Sequence, residues 1–327
     1  MHTLRAPASG RNGTLVYPLI TALSPMHIQL FPRRIAVLLL AGLACAFAGN
    51  HIAARIAFDD GAGLLLAILC RSGVTMLVLG ILVLLRRESV RLGSTMAGWQ
   101  LLMGCLIGFQ SFCIYSAVAR IPVGLALLVV NLSPVFLALF TYVLGGPAPT
   151  RRAVMIMAGI LCGLLIALDV PTVLAGQSQF DERWMEGVLF SLVGAAVFGG
   201  AMWVSENRLS GMAGTVRSMM TMALVFAVAL LASAVNVVPG GLSVPESAGG
   251  WVALSFLVLL YGAAFSTLFI FMPRLDIARN APVLNVEPVA GLLFGWLILD
   301  QQLSALQLVG GGMVVAGIAL LAYRRQA

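Results

Sequence analysis

Residues 281–299 read APVLNVEPVAGLLFGWLIL, an apolar run interrupted near its start by Asn285-Val286-Glu287-Pro288. A carboxylate and a proline both need a reason to be there. The run is close to the ~20 residues that an α-helix needs to cross a hydrocarbon core of ~30 Å, and a charge inside such a run must be paired, protonated or turned towards water. Runs of the same kind recur along the chain. The ten expected spans are 35–57, 62–85, 97–119, 122–145, 153–170, 186–206, 216–238, 251–272, 281–299 and 305–323.

Composition points the same way. With 61% hydrophobic and 9% charged residues among 327, and a mean hydropathy of +1.03, the chain has too little polar surface to coat a soluble globule. The expected fold class is an all-α membrane protein of ten transmembrane helices. All nineteen basic side chains are Arg, and those in the connecting segments fall almost entirely in alternate segments, and so on one side, from Arg33 and Arg34 through Arg86, Arg87, Arg151, Arg152, Arg208, Arg217, Arg274 and Arg279 to Arg324 and Arg325. Basic residues stay on the cytoplasmic side, so both termini are expected there, in a bacterial cytoplasmic (inner) membrane. The formal charge of +7 then reports orientation and contact with membrane lipids, and no nucleic acid is expected as a partner.

No metal site or cofactor is implied. Cys45, Cys70, Cys105, Cys113 and Cys162 lie within apolar spans without metal-site spacing, and His2, His27 and His51 are too scattered to build one. The same scatter argues against a membrane-embedded enzyme, and no GxxxxGK[ST] loop is present to bind a nucleotide. Residues 1–32 are polar and without periodicity, and read as a disordered cytoplasmic tail.

The ten spans divide into two fives. Asn131-Leu132-Ser133-Pro134-Val135 matches Asn285-Val286-Glu287-Pro288-Val289 at an offset of 154, which Gly163 and Gly317 keep, and Phe47-Ala48-Gly49 matches Phe198-Gly199-Gly200. The expected units are a first repeat over 33–170, a periplasmic linker over 171–185 and a second repeat over 186–325. An odd number of crossings inverts the second copy. Inverted repeats give two nearly equivalent packings, one open to each side, which is the logic of alternating access.

Over about residues 35–323 the chain resembles the EamA type of the drug/metabolite transporter superfamily. The resemblance rests on Ala48-Gly49-Asn50-His51, Arg71, Ser133-Pro134-Val135-Phe136, Glu287-Pro288-Val289, and Leu299-Asp300-Gln301-Gln302-Leu303 before Gly310 and Gly317. It implies ten helices in two repeats and a carrier of amino acids, other metabolites or drugs. One departure stands out. Family members usually close the fourth and ninth helices with an acid, a base and a leucine, where this chain has Gly146-Pro147 and Asp300-Gln301.

The polar residues inside the spans are the candidate site. Glu287, read as about six residues inside the cytoplasmic end of a continuous helix, either couples transport to protons or a substrate amine, or ties helices together. Arg71 lies too deep to snorkel and serves a substrate carboxylate, a gate or a hydrogen-bond hub. His51 titrates or merely hydrogen-bonds at a rim. Asn50, Gln110, Tyr115 and Tyr261 offer polar groups and rings for a small amphipathic molecule or for helix contacts, and Trp203 either packs or lines the cavity. Pro134 and Pro288 each leave a carbonyl without a donor and are read as hinges beside the cavity, with Asn131 and Asn285 one turn away to repair the backbone or reach a substrate. Small residues four apart, Gly159/Gly163 and Gly312/Ala316, allow close helix approach and leave a homodimer open.

These readings converge on a secondary transporter for a small-molecule substrate, an amino acid or related compound, with efflux suggested by the resemblance. A flippase for a lipid or lipid-linked sugar is the alternative.

Overall fold

The computed structural model describes residues 30–90, 93–169, 182–271, 274–275 and 280–324, and among these residues the regular structure is helical. The expected tail, apart from residues 30–32, and most of the expected linker lie outside them. Eleven α-helices follow in chain order: α1 Arg33–Asp59, α2 Leu64–Arg86, α3 Ser94–Val118, α4 Val123–Val130, α5 Ser133–Val143, α6 Arg151–Ala167, α7 Glu182–Asn207, α8 Gly214–Ala234, α9 Ala248–Phe271, α10 Val286–Leu299 and α11 Ala305–Arg324. A 3-10 turn over Ala281–Asn285 leads into α10. Every expected span therefore holds helix. Seven helical stretches have the length and composition to cross a membrane, one of them α4 and α5 taken together as Val123–Val143, while Val283–Leu299 and Ala305–Leu321 are shorter apolar helices.

Single kinked helices are expected for the fourth and ninth spans, but each is broken. α4 stops at Val130 and α5 restarts at Ser133; in the second repeat α-helix begins only at Val286. Proline explains both. It has no N–H to give to the carbonyl four residues back, but it costs nothing within a helix's first turn, where the N–H groups are unused anyway. The chain restarts its helix so that Pro134 and Pro288 fall in that first turn. Glu287 consequently sits in the first turn of α10, not deep within a continuous helix, where the positive end of the helix dipole favours a carboxylate.

Packing runs mostly between the repeats. α1 lies against α9 and α10, α2 against α8 and α9, α3 against α7 and α8, α4 and α5 against α7, α4 also against α10, and α6 against α11. Exchanging each helix for its repeat partner returns the same set of pairs. The α6–α11 pair is close enough for backbone to meet backbone: a methyl group on Gly163 would lie 2.7 Å from Met313 Cβ and 3.0 Å from the Gly310 carbonyl oxygen. Gly163 therefore does what was expected of it. Gly159 and Gly312 do not, for each faces open space.

The ends are tied across the repeats as well. At the end expected to face outside, the Asp60 carbonyl accepts from Glu246 N–H at 3.0 Å, Gly63 N–H donates to Ser243 O at 2.8 Å and Leu66 N–H donates to Gly241 O at 2.9 Å. Arg120 and Glu186 pair at 2.8 Å nearby. At the other end Phe31 N–H donates to Arg274 O at 2.9 Å, and Gln100 Nε2 donates to Thr221 Oγ1 at 2.9 Å.

Candidate functional site

Between these ends α1, α2, α3, α9 and α10 bring polar side chains together inside the bundle. Arg71, on α2, is 4% exposed. Its guanidinium carbon lies 4.7 Å from the ring centroid of Tyr115 and 4.2 Å from that of Tyr261. One nitrogen donates to Ser111 Oγ at 2.7 Å. A cation held between two aromatic faces is stabilised where hydration is lost, and fixing the planar fork lowers the entropy cost of binding an anion. Arg71 Nε is buried and has no hydrogen-bond partner.

Tyr115 connects this cation to α1. Its hydroxyl donates to Asn50 Oδ1 at 3.3 Å, and its ring meets His51 edge-on with centroids 6.0 Å apart. His51 Nε2 then lies 3.8 Å from Glu287 Oε1, with Glu287 the more open of the two at 27% side-chain exposure. His51 is thus a bridge between repeats, buried at 8% exposure, and not a rim residue. His51 Nδ1 and Asn285 Nδ2 join Arg71 Nε as buried polar atoms without partners. Leaving such groups unsatisfied costs free energy unless a ligand or water completes them, so they mark where a polar ligand would gain most.

The remaining candidates divide. Tyr261 belongs to the cluster, stacked on Phe265 with centroids 5.3 Å apart and with its hydroxyl 3.9 Å from Met222 Sδ. Asn131 turns back on its own helix, its amide donating to Leu127 O at 2.9 Å, so it does not reach the carbonyl of Val130. Trp203 stands apart, beside Trp99 at 6.5 Å and under the Arg208 guanidinium, in a cation-aromatic cluster at the Arg208 end. Gln110 is half-buried on α3 and, among the described residues, makes none of the cluster's contacts. Ser111 was missed. Its spacing of four from Tyr115 places both on one face of α3, a signal that could have found it.

The cluster is not symmetric. The offset of 154 sets Ser133 opposite Glu287, and the offset of 151 in the Phe-Ala-Gly match sets Met202 opposite His51. The charges occupy one arm of a two-fold design.

The fold and this buried polar centre define a multi-pass helical membrane protein built from two repeats around a charged interior. The chain belongs to the EamA-like transporter family, whose sequence profile matches residues 34–168 and 185–323, one match per repeat. It is therefore a membrane transporter. No curated protein matches it. A solved structure, titled "Crystal structure of protein", aligns with a TM-score of 0.56 and 24% identity over 90% of this chain and 100% of its own, and supports the fold alone.

Proposed function

We propose that the chain is a ten-span secondary carrier with inverted repeats and cytoplasmic termini, moving an amino acid or related small metabolite by alternating access, in the direction of efflux. The observation that carries the reading is the Arg71 guanidinium, clamped between Tyr115 and Tyr261 with Nε unspent, in the same cluster as the His51–Glu287 pair. A carboxylate would complete Arg71, and an amine would compete with His51 for Glu287. Because His51 and Glu287 belong to different repeats, a movement of one repeat against the other changes the spacing of the pair. That geometry suits coupling to a proton. The packing set that survives exchange of the repeats supports two arrangements of similar energy.

The test is a substrate panel in proteoliposomes with and without a proton gradient, repeated with Glu287→Gln and Arg71→Ala. Uptake should be saturable and show counterflow, and at least one variant should lose transport or change its pH dependence. Unaltered transport by both variants at every pH would overturn the site.

A further inference from the structure

An apolar groove of about 320 Å³ runs along α1 between α9 and α10, lined by residues that include Gly49, Ile52 and Ala53 on α1, Leu260 on α9, and Phe294 and Ile298 on α10. It starts beside the polar cluster. Gly49 adjoins Asn50 and Leu260 adjoins Tyr261 in sequence, while Glu287, Phe294 and Ile298 share one stripe of α10 at spacings of seven and eleven residues. Along that stripe Phe294, the first residue of α10 to line the groove, stands roughly 10 Å from Glu287. Its far rim opens sideways, since Val252, Phe256 and Ile298 are each more than half exposed.

In the other arm α5 and α7 approach closely. Phe136 of α5 packs onto Gly199 of α7, where an added methyl would lie 2.7 Å from Phe136 Cβ. The offset of 154 sets the smaller Ala290 opposite Phe136. The groove lies on the arm that also carries the unmatched carboxylate.

We propose that the groove and Glu287 form one binding site for an organic amine bearing a narrow apolar arm, with the ammonium at Glu287 and the arm along Ile52, Phe294 and Ile298. This rests on the carrier reading above and names the substrate class of that same site. A bilayer acyl chain would fill the groove but would leave Glu287 with His51 alone. The amine uses both parts.

A decylamine probe with a photoreactive diazirine at the tail end tests this on the full chain in nanodiscs, with decanol carrying the same tail as control. The amine probe should label peptides from α9 and α10 at the groove, unlabelled octylamine should compete saturably, and Glu287→Gln should weaken labelling about tenfold or more, the loss of one charge-assisted hydrogen bond. Val252→Trp fills the exposed rim without entering the core, and should also reduce labelling. Equal groove labelling by the alcohol would show a site for acyl chains and overturn the proposal. So would labelling spread evenly over the lipid-facing helices or unaffected by Glu287→Gln. Proton-coupled transport without groove labelling would sink this inference and leave the carrier intact.

Discussion

At Gly250, near the start of α9, a single added methyl group would run into the Asp60 carboxylate, so glycine is what lets the two repeats touch at this end. The contact is specific. Asp60 Oδ2 accepts from Ser247 N–H at 2.9 Å, and this backbone hydrogen bond, followed by one from the Ser247 side chain, holds the carboxyl below its ordinary range. Gly250→Ala should lower stability by about 1–3 kcal/mol, the cost of forcing a methyl into filled space, read as a fall in melting temperature in detergent. The sign of the pH effect follows from the lowered value. The contribution is complete above the ordinary carboxylate range and is lost as pH falls through the lowered value, so it should persist to about pH 4 and vanish below. Asp60→Asn should remove that acid sensitivity, and an unchanged low-pH melting curve would contradict the assignment.

At the scale of elements, the prolines are the sharpest case. Pro288 prevents the Leu284 carbonyl from being paired by helix continuation, so α10 begins where it does. Pro288→Ala removes the block to a continuous α-helix. Because the Leu284 carbonyl already accepts a bond at the end of the 3-10 turn and first-turn N–H groups are unused, stability should change by less than about 1 kcal/mol, while transport should slow as Glu287 loses its fixed place in a first turn. Initial rates and melting temperature measured together would decide; a faster variant would be the wrong outcome. The spans and paired prolines were legible because period, length and Pro chemistry are local properties of sequence. The His51–Glu287 pair was not, because its partners lie 236 positions apart and meet only when α1 packs on α10. Trp203 stays open between packing and cavity for the same reason: an aromatic in an apolar run carries no mark of whether it faces a cavity or another tryptophan.

At the scale of the molecule, the strongest helix pairs join one repeat to the other, as in α1 with α9, α2 with α8, α3 with α7 and α6 with α11. A chain divided within 170–181 should therefore reassemble when both pieces are made in the same cell, restoring transport. Either piece made alone should be degraded, which pulse-chase labelling would show. Survival of a solitary half would mean that pairs within a repeat carry more of the stability than the packing implies. There is a consequence for biosynthesis. α1 leaves the ribosome long before α9 and α10 exist, so the first half must wait in the lipid as inserted but unassembled helices, Arg71 and His51 among them. The period of greatest exposure for this protein is the time taken to translate its own second half, and a pause there would leave Arg71 and His51 without Tyr261 and Glu287, the partners still to be made.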